Sequence, residues 1–599
     1  MTNARLLAVV IFLKVFGSSA DITANDVHSI VSMGTDPTGL ASSTETRTSS
    51  AADACSEKRR KGPVATDTKP DTPAMTDQHH DCDSINKAKE VLKDDVIQRK
   101  DDVIQRALTP SLFSNVPPTI HFVRQEEQVE ELPTAAKKRL RYYHSINKVI
   151  EEFVTRVGFT PTKEPQIHSF YFGQPYQLHR TDSYQTVKPH QKFNHFPDCW
   201  ALGCKHHLAD NLQRHKLRHG EDEFDFAPQT FVLPRDKDVF LQTLDESDED
   251  QAWIIKPACS HGGQGIEVIT KGQRVIVKQE SVVQRYIPNP ILIDGHKMDI
   301  RVYVLVGSID PLRIYMYEEG QVRIAHERYS TDNFNKLTTH LTNFDVTLAN
   351  INNDVKNAAK HKRKPLSWFW EHSGVQRQPV WDKIKDIVIK SIISGEAKIR
   401  DATLSNMASR YSNYEYLGFD IFLDDDLKPW IMEINTSPRM TYRTLKDMKS
   451  RMYRDLLNLV GVQIPDQDLA NPKEKSKDTF PKHLVMDHRL WNYSLTNEER
   501  EKHDTYTAIK DEKLQQAMLD DLNPDDIRIL IETMDENNRR GGFERIFPTP
   551  DTKRYHKLFE GPRYYNLLLH HWIQRYQHNE EEGIKVLESY CRQSKHLQP

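Results

Sequence analysis

YLGFDIFLDDDLKPWIMEINTSP, residues 416–438, decides how the chain is read. Two runs rich in Phe, Ile and Leu flank an acidic turn, which is the pattern of a β-hairpin. A turn at Asp424–Pro429 that pairs 424 with 429 places Asp420 opposite Glu433, with Asn435 two residues on and directed to the same side. Two carboxylates and an amide oxygen are hard donors of the kind Mg²⁺ takes beside water and phosphate. A solvated acidic edge hairpin is the plainer alternative. Against it, Asp420 and Glu433 interrupt apolar strands (Phe419, Ile421, Phe422; Ile431, Met432, Ile434). Burying two such groups side by side without a cation is costly.

Upstream, WIIKPACSHGGQGI at 253–266 is a strand carrying Lys256, then a loop with Gly262, Gly263 and Gly265, then a strand resuming at Ile266. Glycines let backbone N–H groups close on phosphate oxygens, and Lys256 adds a positive charge, although such a loop is often only a turn. There is no G-x-x-x-x-G-K-[ST] and no H-R-D, so neither a P-loop nor the usual protein kinase is indicated. In GHKMDIRVYVLV at 295–306, Lys297, Asp299 and Arg301 share one strand face while Met298, Ile300, Val302 and Val304 take the other. That division fits a cleft lined by charge, or a solvated sheet face.

Farther out, IEVIT, SVVQRYI, LRIYMYEEG and the strands above alternate with helical patterns such as WDKIKDIVIKSIISGEAKI at 381–399. The fold class expected is α+β (mixed α/β), with a catalytic body over 116–465. Residues 466–599 read as a polar, mainly helical C-terminal extension packed on that body. Residues 21–115 are rich in Ser, Thr, Asp and Lys and are expected to be disordered; they include KDDVIQR twice in tandem at 93–106. Residues 1–20 have the outline of a signal-like segment interrupted by Lys14. No apolar run is long enough for a spanning helix.

The chain has 599 residues, 82 Lys+Arg against 86 Asp+Glu and 6 Cys. Near-neutrality argues against general nucleic-acid binding while permitting local basic patches. So few cysteines cannot make a disulfide scaffold, which favours a reducing compartment and cysteines acting as ordinary small residues. Cys199, Cys204, His215 and His219 imitate a zinc finger, but their central spacing is too short.

The segments IIKPACSHGGQGIEVI, VVQRYIPNPILIDGHKMDIRVYVLV, DPLRIYMYEEGQVRIA, HLTN and LGFDIFLDDDLKPWIMEINTSP, in this order, resemble the tubulin–tyrosine ligase-like family, most closely its polyglutamylase members. The resemblance runs from QKFNHFP (191–197) to DLLNLVG (455–461), and RRGGFERIFP and FEGPRYYNLLLHHW extend it. It implies an ATP-grasp fold in which two lobes hold ATP and Mg²⁺. Lys256 and the loop Gly262, Gly263, Gly265, Ile266 would approach the phosphates. Gln284, Arg285, Tyr286, Ile287 and Lys297 would hold the adenine end, and Asp299, Thr342 and Asn343 would complete the nucleotide site. Asp420, Glu433 and Asn435 would bind Mg²⁺, with Glu433 also catalytic. Arg301 and Arg323 would meet the γ-phosphate and the amino-acid carboxylate.

The implied partners are tubulin or microtubules, through their acidic tails, and free L-glutamate. A monomer in the cytoplasm, at the microtubule cytoskeleton, cilium or basal body, is expected. Basic stretches at 137–141 and 361–364 are candidates to attract an acidic tail. The chain departs from the family pattern at Gly262, where Arg is usual, at Arg439-Met440, and at Phe344-Asp345, where Tyr-Ser is usual and helps hold the incoming glutamate. Those departures leave open a ligase of the same fold that uses another amino acid or acceptor, and a microtubule-binding pseudoenzyme.

Overall fold

The computed structural model describes residues 107–599, apart from 145, 175–183, 261, 277–278, 344–345, 347–362, 440–444 and 467–479. The signal-like segment, the low-complexity stretch to 106 and the KDDVIQR duplication lie outside the described residues, as do Phe344, Asp345 and Met440. Residues 107–115, assigned by composition to the disordered stretch, are instead built into the body. Leu108–Thr109 (β1) pairs with Thr119–Ile120 (β2), and Phe113 is buried among C-terminal helices. Ser111 and the Leu112 N–H donate to the Asp535 carboxylate, and Ser114 donates to Glu588. Partners that distant leave no trace in local composition.

A small parallel sheet follows in the order β4-β3-β5-β6, formed by Arg141–Tyr143 (β3), Thr160–Thr162 (β4), Phe170–Tyr171 (β5) and Lys192–Phe193 (β6). Helix α1 (Lys205–His219) then leads to a four-stranded antiparallel sheet, β7-β10-β8-β9. Its strands are Thr230–Leu233 (β7), Trp253–Pro257 (β8), Glu267–Ile269 (β9) and Ser281–Arg285 (β10). Alternation divides their side chains. Trp253, Ile255, Phe231 and Val283 pack with Phe240 and Leu244 of helix α2 (Lys237–Glu246), which leaves Ile254 and Lys256 for the opposite face.

The third sheet has eight strands built around the fourteen-residue β12 (His296–Ile309). On one edge β12 pairs with β13 (Leu312–Tyr317) and β14 (Gln321–Ile324), and on the other with β11 (Leu292–Ile293) and β16 (Glu415–Leu423). Arg363–Pro365 (β15) extends the sheet beyond β14, and Pro429–Asn435 (β17) pairs with β16. Met298, Ile300 and Val302 pack with Ile384, Val388 and Ile392 of the thirty-residue helix α3 (Arg377–Asn406). On the opposite face Tyr303, Leu305 and Tyr416 meet Met452 and Leu456 of α4 (Lys446–Val460). Lys297, Asp299 and Arg301 precede that second cluster along β12, and their half of the face lies open to charged neighbours.

The C-terminal extension contains α5 (Pro524–Asn538), α6 (Tyr564–Tyr576) and α7 (Glu580–Arg592). It is more than an appendage, because Phe543–Phe547 (β18) pairs with β13 and becomes a strand of the large sheet. Arg313 of β13, fully buried, holds Glu532 and Glu536 of α5. Among the described residues no helix is long and apolar enough to cross a membrane.

Candidate active site

The hairpin does place Asp420 opposite Glu433, by a different route from the one the turn suggested. Leu423, not Asp424, faces Pro429, and the Asp424 carboxylate accepts from the Lys428 N–H and the Trp430 indole instead. Ile421 pairs with Ile431, so Met432 is an extra residue, a bulge that restores the register at 420–433. Asn435 Nδ2 lies 3.3 Å from Glu433 Oε1, on the same side.

Cross-strand neighbours extend the array. Asp420 faces Arg301 on β12, and Asp299 faces Arg323 on β14. Arg301 donates to both Asp420 oxygens, and Arg323 bridges Asp299 and Asp420, at 2.8 Å from Asp420 Oδ2. Gly418 makes room for this, since a Cβ there would sit 3.0 Å from Arg301 Cδ and 2.9 Å from Pro438 Cβ. Both arginines are thus engaged with carboxylates of the array.

Between the four-stranded antiparallel sheet and the eight-stranded sheet lies an open cleft. Lys256, Gln284 and the residues Arg285, Tyr286 and Ile287 line it from the four-stranded antiparallel sheet, with Gly262, Gly263 and Ile266 of the loop. Lys297, Asp299, Arg323, Asp420 and Glu433 line it from the large sheet, and Thr342 and Asn343 from the segment after β14. Gly265, Arg301 and Asn435 are not part of this lining. Gly262, Gly263 and Gly265 all have positive φ, and a Cβ on Gly263 would meet Val346 Cγ2 at 2.7 Å, so the loop's path depends on glycine.

Three lysines face the cleft. Lys256 donates to Gln284 Oε1 at 2.7 Å. Lys297 donates to the Tyr286 hydroxyl at 3.0 Å and lies over the rings of Tyr286 and Phe422. Sequence reasoning missed the third, Lys205, which reaches Glu433 Oε2 at 3.2 Å and the Ser260 carbonyl at 2.9 Å from the first turn of α1. Burial lowers Lys256 to about 8 and Lys297 to about 7. Burial raises Asp420 against the pull of Arg301 and Arg323. It opposes ionisation of Glu433 too, but Lys205, a bond from Asp420 and the charges of Arg301 and Lys256 prevail and hold that carboxyl well below its usual range. Glu433 is therefore the more readily ionised member of the pair. Its oxygens, with those of Asp420 and Asn435, suit a hard divalent cation, and buried lysines around a glycine loop suit a polyphosphate.

A second group of cations crowds Arg301 and Arg323; Lys449 escaped the sequence reading, and Arg363 entered it only within the basic stretch 361–364. Lys449 of α4, 2% exposed, is lowered to about 7 by burial and by the charges of Arg363, Arg301 and Arg439. Burial and Arg323 lower Arg363 to about 10.

The cysteine expectation needs correction. Cys204, at the N-terminus of α1, is disulfide-bonded to Cys259 in the glycine-rich loop segment, with Cα atoms 4.9 Å apart. This also removes Cys204 from the zinc-finger pattern, whose His215 and His219 instead pack near Phe224. Nothing in the spacing of 204 and 259 announces the pairing.

Fold and cleft define a mixed α/β protein with an oxygen-donor pair and buried lysines between two antiparallel sheets. The chain belongs to the tubulin-tyrosine ligase family, whose profile matches residues 183–471. It is 37% identical over 528 residues to the human tubulin monoglutamylase TTLL4, which covers 84% of this chain and 43% of the relative. It is 33% identical to the tubulin polyglutamylase ttll-4 of Caenorhabditis briggsae over 84% of this chain and 83% of that protein. A probable beta-tubulin polyglutamylase of Tetrahymena thermophila is 34% identical over 63% of this chain. The chain spans under half the length of the mammalian TTLL4 proteins it matches.

Proposed function

We propose that the chain is an ATP- and Mg²⁺-dependent ligase of ATP-grasp fold that joins the α-amine of L-glutamate to a glutamate side chain in an acidic tubulin tail. The observation that carries this reading is the convergence of Asp420, Glu433 and three cleft lysines beside the cations Arg301, Arg323, Arg363 and Lys449. Names of relatives supply the tubulin and glutamate terms. Mg-ATP would supply the phosphoryl group that activates the acceptor carboxylate for attack, with ADP and phosphate leaving.

This chain's residues position and neutralise. Lys256 and the loop Gly262–Ile266 hold phosphates, while Gln284–Ile287 and Lys297 hold the base end. Asp420, Glu433 and Asn435 hold the metal. Arg301 and Arg323, kept in place by Asp420 and Asp299, offset the charge that develops on the transferring group. No covalent protein nucleophile is required. The reading places the protein at the microtubule cytoskeleton, including cilia or basal bodies, as a monomer.

The test is incubation of the purified protein with tubulin, Mg-ATP and each labelled amino acid in turn. Incorporation of glutamate supports the reading. Incorporation of a different amino acid alone favours the second reading, motivated by Phe344-Asp345. Nucleotide binding with no incorporation at all favours a pseudoenzyme.

Two further results are expected. Arg363→Ala should raise the KM for glutamate about tenfold or more with a small change in the KM for ATP, because Arg363 stands among the cations by Arg301 rather than in the cleft lining. Equal changes in both constants would reject that division of labour. Metal-free ATP affinity should fall at least tenfold between pH 7 and pH 9. Lys256 and Lys297 are cationic only below about 8 and about 7, an anion favours their charged forms, and binding therefore takes up protons over this window. Calorimetry in buffers of different ionisation enthalpy reads the proton uptake directly, and a flat profile would contradict the assignment.

A further inference from the structure

The C-terminal helices gather a second set of ligand-type side chains, none of which lines the cleft. Glu512 opens the single-turn helix Glu512–Gln515, His556 lies in the 3-10 helix Pro550–Leu558, and His570 and His571 lie on α6. One donor atom each from Glu512, His570 and His571 fall within 4.8 Å of one another. His570 and His571 are each 1% exposed. Neither nitrogen of His570 has a hydrogen-bond partner, nor has Nδ1 of His571 or Nε2 of His556, and all four atoms are buried. The His556 and His570 ring centroids are 5.1 Å apart. Buried polar atoms are almost always satisfied, so four orphaned imidazole nitrogens in one place indicate a missing occupant.

The surrounding bonds orient this set for a metal. Gln515 Oε1, which can only accept, lies 2.9 Å from His571 Nε2, so Nε2 carries the hydrogen and Nδ1 keeps its lone pair. Lys553 holds Oε2 of Glu512, leaving Oε1 at 3.7 Å from His570 Nε2. That separation is too long for a hydrogen bond. It is close to the roughly 3.3 Å between two ligands bound at about 2.05 Å on a tetrahedral ion.

We propose that Glu512, His570 and His571 bind one divalent transition metal of the zinc type, with the His556 ring beside them. Imidazole nitrogens with a single carboxylate select Zn²⁺, Co²⁺ or Ni²⁺ over Mg²⁺, so this ion is distinct in kind from one held by Asp420 and Glu433. It joins the single-turn helix that begins at Glu512 to α6, and so fastens two parts of the C-terminal extension to one another.

The experiment is titration of the chelator-treated full-length chain with Co²⁺ and Zn²⁺. Expected are one tightly bound Co²⁺ with ligand-field absorption and no sulfur-to-metal charge-transfer band, and a melting temperature that rises with Zn²⁺. His571→Gln should weaken binding about 100-fold and abolish the rise, while melting like the parent in chelator. Glu512→Gln, at a partly exposed side chain the fold can spare, should weaken binding at least tenfold and serves if His571→Gln does not fold. A charge-transfer band would assign the metal to a free thiol, as at Cys199 beside His195 and Glu415, and overturn the proposal. So would unchanged affinity in Glu512→Gln, or no stoichiometric binding by the parent chain.

Discussion

Replacing Glu433 by Gln is expected to cut glutamate incorporation about 100- to 1,000-fold and leave the melting temperature nearly unchanged. The side chains have the same size, and the amide oxygen can still accept from Lys205, 3.2 Å away in the parent protein. What disappears is the charge that Lys205, Lys256 and Arg301 maintain on this carboxyl and that Asp420, raised by burial, does not supply alone. Mg²⁺ should then saturate only at higher concentration, and metal-free nucleotide binding should change little. Asp424→Asn is the control. Its carboxylate belongs to the same acidic turn but serves Lys428 and Trp430, outside the cleft lining. Activity of Glu433→Gln within threefold of the parent would sink the metal-ligand assignment, as would an equal loss in Asp424→Asn.

The second large effect is on stability. Arg313→Ala is expected to cost about 3–5 kcal/mol, because it strands Glu532 and Glu536 beside a fully buried position. The loss falls between the large sheet and α5, so it should weaken the attachment of the C-terminal extension and expose β18. Urea unfolding monitored by fluorescence measures it. Adding Glu532→Gln and Glu536→Gln to Arg313→Met should recover much of the loss, since no charge is then left without a partner. If Arg313→Ala unfolds at the parent midpoint, the extension is held by something other than this cluster.

How far the sequence could be read depended on the range of the interaction. Period-two alternation assigned Lys297, Asp299 and Arg301 to one face of β12 and brought Asp420 opposite Glu433, since both facts lie within a strand or hairpin. Even there the inferred turn was one residue out, and the bulge at Met432 compensated. Lys205 and Lys449 were invisible, and Arg363 was read only within the basic stretch 361–364. Each reaches the site from a separate element, and an isolated lysine or arginine in a helix reads as a solvated face. FERIF was noticed as aromatic-rich, but its place in the large sheet depends on a pairing with β13 more than 200 residues away. The order of residues 107–115 depends likewise on Asp535 and Glu588.

The bond between Cys204 and Cys259 closes a ring over a separation of 55 residues, and that ring contains α1, β7, α2 and β8. A protease that cuts inside it, at the exposed turn near Glu221 or the one near Glu249, opens the backbone without releasing either fragment. Lys205 and Lys256 would then belong to different polypeptides and still be tethered to one another. Before reduction the nicked protein would exceed the intact one only by the water added at the cut, and reduction would separate it into two fragments.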